Sequence, residues 1–150
     1  PLGMDDTYFE FYETETGSGK RLDSYLGPIN MTKYINTSYE WAGGGLVSTT
    51  EDMATFIKAL FSLELFEQAA TLELMLDNSA NVADGKTYAR GIYHYPMGDK
   101  LYYGHGGFYG SLLMYNPEKE VVLSGHLTQA NPPYAVDGLI NALLEIVQAW

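Results

Sequence analysis

The chain has 150 residues, 46% of them hydrophobic and 18% charged, which places it among globular domains and excludes compositional disorder. It contains no cysteine, so disulfides, thiolate metal sites and a cysteine nucleophile are excluded. Eight Lys and Arg against 19 Asp and Glu give a net charge of −11, a field that repels nucleic acid and anionic membranes.

Residues 1–40 are aromatic, acidic and weakly periodic, and predict an irregular segment with short strands at most. Gly17-Ser18-Gly19 and Gly27-Pro28 supply turn chemistry. Gly-Ser-Gly-Lys at 17–20 is no phosphate loop, because Thr14 and Arg21 stand where glycine and Ser/Thr are required. Trp41-Ala42-Gly43-Gly44-Gly45 then leads into a helix, which Thr49 or Thr50 can cap; Ser48–Glu51 also has capping-box spacing. Glu51 and Asp52 suit its positive end, and Met53, Phe56, Ile57, Leu60 and Phe61 form its apolar stripe. The glycine run itself reads as a tight packing loop. A second helix is expected from about Phe66 to Leu76, ended by Asp77-Asn78-Ser79, and Asn81–Arg90 reads as a polar loop.

From there the pattern is that of strands. Ile92–Tyr95 and Leu101–Tyr103 flank a Pro96–Asp99 turn. Ser111–Tyr115 and Val121–Ser124 are joined by Asn116-Pro117-Glu118-Lys119, with Asn and Pro where a type I turn prefers them. Continuous apolar runs predict strands buried on both faces and a sheet covered by helices. A terminal helix follows Pro132-Pro133, with Val136, Leu139, Ile140, Leu143, Ile146, Val147 and Trp150 as one stripe. The fold class is α+β: antiparallel strands packed by helices, with a long C-terminal helix. The three histidines lack metal-ligand spacing. His94, between tyrosines, and His126 read as structural.

Three stretches share one resemblance. Pro1-Leu2-Gly3-Met4-Asp5-Asp6-Thr7 resembles a P-L-G-M-x-D-T segment, and Ala42–Met53 an A-G-G-G-L-x-S-T-x-x-D-L segment. Tyr103-Gly104-His105-Gly106-Gly107, before two strands and a helix, resembles the third active-site motif. Together, in this order, they resemble β-lactamase-related serine hydrolases: class C β-lactamases, serine D-Ala-D-Ala carboxypeptidases of the penicillin-binding type, and related esterases.

The resemblance implies that residues 1–150 form the C-terminal portion of such a domain, cleaving an amide or ester (a β-lactam, a D-Ala peptide or a small ester) through an acyl-serine intermediate. His105 would take the third-motif position on the sheet's edge strand, hydrogen-bonding the tyrosine that helps activate the family's serine, or the substrate carboxylate. The backbone N–H of Phe108 would be one oxyanion donor. Gly106 and Gly107 would let substrate approach the backbone, and Trp41 either lines the pocket or packs. The family's S-x-x-K and Y-x-N motifs lie upstream of P-L-G-M. No serine here has lysine three residues on, and Tyr34-Ile35-Asn36 and Thr55–Lys58 are chance imitations. The chain alone is therefore expected to be inactive. No cofactor and no metal are implied, and the resemblance favours an extracytoplasmic compartment. A last strand over Glu120–Thr128 would expose an edge, to be covered by an N-terminal segment of the same protein or a second copy. Two other readings are a non-catalytic peptide- or protein-binding module of the same fold, and an unrelated α+β domain with a closed sheet.

Overall fold

The computed structural model describes residues 2–16, 21–77, 80–82, 85–130 and 136–148. In chain order its strands and first helices are β1 (Tyr8–Phe9), β2 (Tyr25–Leu26), β3 (Ile29–Asn30), β4 (Leu46–Val47), α1 (Thr50–Phe61) and α2 (Ala69–Leu76). There follow β5 (Ala80–Asn81), β6 (Thr87–Tyr88), β7 (Tyr93–Met97), β8 (Lys100–Gly106), β9 (Ser111–Asn116), β10 (Val121–His126), β11 (Gln129–Ala130) and α3 (Val136–Gln148). The main sheet is antiparallel in the order β10-β9-β8-β7-β6-β5. Two small sheets, β1-β4 and β11-β2-β3, account for the short strands of the first 40 residues and their partners. The turn read at Gly17–Gly19, the Asn78-Ser79 helix end, Pro132-Pro133 and Trp150 lie outside the described residues.

Helices cover the sheet on both sides because β9 is apolar on both. Leu113 and Tyr115 pack with Ile57 and Leu60 of α1, joined by Phe61, Tyr103 and Val122. Met114, from the opposite face, joins Tyr102, Ile140 and Leu144 beneath α3. Each such side chain withdrawn from water contributes roughly 1.5–3 kcal/mol. Phe56, expected in the α1 stripe, stays 38% exposed at its margin. The α3 stripe is corrected more strongly. Ile140 and Leu144 are the buried positions, while Leu139, Leu143, Ile146 and Val147 are exposed. Among the described side chains, it is the 140–144 line of this widely apolar helix that meets the sheet.

Turn chemistry sets the hairpins. Strands β7 and β8 extend further than expected: Pro96 pairs with Leu101 inside the ladder, and the turn shrinks to Gly98-Asp99 with Gly98 at φ 62. Glycine takes that position because it alone adopts positive φ without a Cβ penalty. Between β9 and β10, Asn116 is fully buried and satisfied: its Nδ2 donates to the Leu101 carbonyl at 3.0 Å, and its Oδ1 accepts from the Lys119 N–H at 2.8 Å. The stretch read as a polar loop over 81–90 instead contributes residues to β5 and β6.

The two N-terminal motifs are one physical unit. Thr49 caps α1, its side chain accepting from the Asp52 N–H at 3.1 Å. The Asp52 carboxylate is thereby aimed back at the first motif, where it accepts from the Asp6 N–H at 3.1 Å and the Thr7 hydroxyl at 2.7 Å. Ser48 is therefore not the cap; its hydroxyl lies 2.7 Å from that of Thr7. Pairing of β1 with β4 extends the clasp, and the Glu10 N–H donates to the Gly45 carbonyl at 2.9 Å. Glu10 itself is buried, and holds the Arg21 guanidinium and the Thr37 hydroxyl.

A histidine gives the fold a pH dependence. His94 is buried on β7 against Tyr103, with ring centroids 5.0 Å apart, and its Nε2 has no partner among the described residues. Burial pushes its pKa below the ordinary value, because the charged ring would lose its water. As pH falls below about 6.5 the unfolded chain takes up the proton first, so stability drops. Burial of His126 acts in the same direction. Urea midpoints are expected to fall between pH 7.5 and 5.5, each histidine contributing at most about 1.4 kcal/mol per pH unit. His94→Phe should reduce that slope; an unchanged slope would remove His94 as a cause.

Candidate active site

The site is built at the far end of β8. Toward β9, pairing continues to Gly106↔Leu112, and the Gly107 N–H donates to the Ser111 carbonyl at 2.8 Å. Toward β7 it stops at Tyr93↔Gly104. The chain turns away there through Gly91 at φ 78, with the Ala89 N–H bonded to the Ile92 carbonyl at 2.9 Å. Among the described residues, no strand consequently lies beside His105 and Gly106 on that side. The expected edge strand is corrected: β8 is interior, between β7 and β9, and among the described residues only its last two lack a partner on the β7 side, because β7 begins late.

His105 is exposed but held. Its Nδ1 lies 2.7 Å from the Gly106 carbonyl oxygen, and its Nε2 lies 3.3 Å from the Tyr88 hydroxyl. Ring contacts with Tyr93 at 5.0 Å and Tyr88 at 5.7 Å flank the imidazole. Tyr88 is a residue that sequence reading missed. Its only signal was a β-branched and aromatic pair, Thr87-Tyr88, ahead of a glycine and the next strand. Register delivers it, because Tyr88 pairs with Tyr93 and their rings stand 4.4 Å apart.

Beyond His105 the glycines differ in purpose. A Cβ on Gly106 would meet nothing closer than the Ser111 carbonyl at 3.7 Å, an ordinary contact. On Gly107 it would stand 2.2 Å from the Ser111 hydroxyl. The turn after them is closed by the Gly110 N–H to the Gly107 carbonyl at 3.0 Å. Phe108 sits in that turn, its ring 65% exposed and its N–H without a hydrogen bond among the described residues. Next to it, burial raises the Tyr109 pKa, helped by Tyr39, Glu40 and Glu10 nearby. The 39–40 segment is thus within electrostatic reach of Tyr109. Trp41, which follows it, has φ 46, and its ring contacts are with Phe9 at 5.2 Å and Tyr12 at 4.7 Å. The structure therefore brings His105, Gly106, Gly107 and Phe108 together on one strand end, while Trp41, 58% exposed, makes its ring contacts in an aromatic group with Phe9 and Tyr12. Gly45 is buried under that group, where a Cβ would stand 2.9 Å from the Trp41 carbonyl.

Among the described residues, no three His, Cys, Asp or Glu side chains gather to hold a metal ion. No described helix is long and apolar enough to cross a membrane.

An antiparallel sheet between helix layers, carrying a histidine and two glycines on an open strand end, is the β-lactamase and transpeptidase architecture. The beta-lactamase family model matches residues 1–146, and the chain belongs to that family. It is similar in structure to a D-amino acid amidase from Ochrobactrum anthropi SV3, with TM-score 0.78 and 24% identity over 97% of this chain and 48% of that one. A penicillin binding protein from Bacillus halodurans gives TM-score 0.67 and 20% identity, over 95% of this chain and 46% of that one. At these identities the likeness shows the fold. The chain spans about half the length of both neighbours. No curated protein matches it.

Proposed function

We propose that this chain forms one wall of a serine hydrolase site that cleaves an amide or ester through an acyl-serine intermediate. The observation that carries this reading is the Phe108 N–H, which makes no hydrogen bond among the described residues and lies beyond the open His105–Gly106 edge. In acyl transfer a serine oxygen attacks the carbonyl carbon, and the carbonyl oxygen becomes an oxyanion that needs fixed donors. Phe108 supplies one such donor. Gly106 and Gly107 let the substrate backbone lie against β8, and His105 presents its imidazole beside the reacting group. The C–N or C–O bond then breaks, the serine's proton passing by way of the base to the leaving nitrogen or oxygen (which stays tethered in an opened β-lactam), and water hydrolyses the resulting acyl-serine. A β-lactam, a D-Ala peptide and a small ester all fit this chemistry, as does an amino acid amide of the kind the structural neighbour is named for.

The nucleophile and its base come, in this reading, from a segment outside these 150 residues, because no serine here stands in S-x-x-K. Two features support a partner of that kind. Strand β10 is the sheet's last strand among the described residues, and the outer stripe of α3 is apolar and exposed. An N-terminal segment of the same protein would cover both; a second copy is the other candidate.

Phe108→Pro tests the reading in a protein that also carries the nucleophile segment. Proline suits the second position of the Gly107–Gly110 turn and removes the N–H together with the aromatic ring, whose loss alone Phe108→Ala reports. Loss of one oxyanion donor should lower kcat about 10²–10³-fold, while Phe108→Ala, which keeps the N–H, should stay within a few-fold. Equal rates for the two variants would reject Phe108 as a donor. Hydrolysis of none of the four substrate types would reject the hydrolase reading itself.

A further inference from the structure

We propose that Tyr88 is a positioning residue for His105, fixing which ring nitrogen carries the proton and which presents its lone pair. The Gly106 carbonyl has no hydrogen to give, so the nitrogen 2.7 Å from it, Nδ1, must be the donor. In the neutral ring Nε2 is then left with a lone pair and nothing to donate. The Tyr88 hydroxyl lies 3.3 Å from that lone pair and is the group that supplies a proton to it. Both nitrogens are thereby engaged in opposite senses; the alternative tautomer would set two acceptors face to face at the Gly106 carbonyl and turn the Tyr88 hydroxyl to accepting, the poorer of a phenol's two roles.

The hold is steric as well as polar. Tyr88 meets the imidazole edge-on at 74°, Tyr93 meets it at 57°, and the two tyrosines are a cross-strand pair. His105 sits beyond the β7 ladder, where an exposed ring would otherwise turn through several rotamers. The short strand β6 exists in this account to bring one hydroxyl to the site. Within the third motif the immediate neighbours of His105 are glycines, and the Tyr103 ring is packed against Phe61 and His94. The consequence for catalysis rests on the hydrolase reading; the hold on the ring does not.

Long-range ¹⁵N–¹H NMR of the His105 ring in this chain tests the hold. The Nδ1–H form should dominate in the unaltered protein. Tyr88→Phe keeps the ring and loses the hydroxyl, and should move the tautomer ratio about two-fold or more toward Nε2–H, the difference between a phenol donating to Nε2 and accepting from it. Tyr93→Phe keeps its ring beside His105 and should leave the ratio unchanged. Dominance of Nε2–H in the unaltered chain, or an equal response to both substitutions, would overturn the proposal. In a protein with the nucleophile segment, Tyr88→Phe should lower kcat about tenfold while KM changes little. An unchanged kcat there would overturn the positioning role. If the tautomer shifts as expected and the unaltered protein hydrolyses nothing, the hold on His105 stands and the hydrolase reading fails.

Discussion

Gly104→Ala is expected to cost about 4 kcal/mol or more, the range reached when a substitution forces backbone apart in a core. Gly104 pairs with Tyr93 on one side and Met114 on the other, at the centre of the sheet. An added Cβ would stand 1.9 Å from the Leu113 carbonyl oxygen and 2.9 Å from the Met114 Cα. Neither neighbour is the tip of a flexible side chain, so β8 and β9 would have to separate. That opens the ladder between the two cores and drags His105 with it. Gly106→Ala, two residues on, meets only an ordinary contact and should stay within about 0.5 kcal/mol of the unaltered chain. Urea unfolding followed by circular dichroism distinguishes them. A Gly104→Ala midpoint equal to that of Gly106→Ala would contradict the packing described for this strand. The same pair separates structural from functional glycine: a rate loss in Gly106→Ala without a stability loss would come from the substrate side.

The second large effect is expected at Asp52. Its carboxylate is 9% exposed and accepts from both Asp6 and Thr7, which lie 46 and 45 residues away. Hydrogen bonds to a charged group are worth about 1.5–3 kcal/mol each, and their donors are left unmet when the acceptor is removed. Asp52→Ala should therefore cost about 2–4 kcal/mol, and release the first motif from the start of α1. Thr7→Ala should cost less, and the double variant less than the sum, because the two residues share one bond. Thr49→Ala loses only the cap, about 1 kcal/mol. Strict additivity of Asp52→Ala and Thr7→Ala would show that the clasp is not a unit.

These two positions also show what kind of information a sequence carries. Helix α1 was legible because its cap, acidic first turn and apolar stripe are all local, and Thr49 and Ile57 stand where they were expected. The β9–β10 hairpin was legible from Asn116-Pro117, and the buried Asn116 shows why that residue suits the turn. The Asp52 clasp was not legible from periodicity, since nothing local marks a carboxylate that reaches back 46 residues. Strand β6 was missed because a short strand has no period to read. On α3 the apolar stripe was visible, but an apolar helix does not say which of its lines meets the sheet; Leu144 was buried and Leu143 was not. For the site, His105-Gly106-Gly107 was visible as a motif. Its tyrosine partner came from across the sheet, and the reason the strand end is open lies in where β7 begins.

Covalent labelling by a fluorophosphonate probe, read by intact-protein mass spectrometry, decides whether these 150 residues hold a nucleophilic serine of their own. The account predicts no adduct on the 150-residue chain alone, and one adduct, on a serine of the added segment, when a segment bearing S-x-x-K and Y-x-N is supplied with it. A stoichiometric adduct on a serine of the chain alone would contradict it.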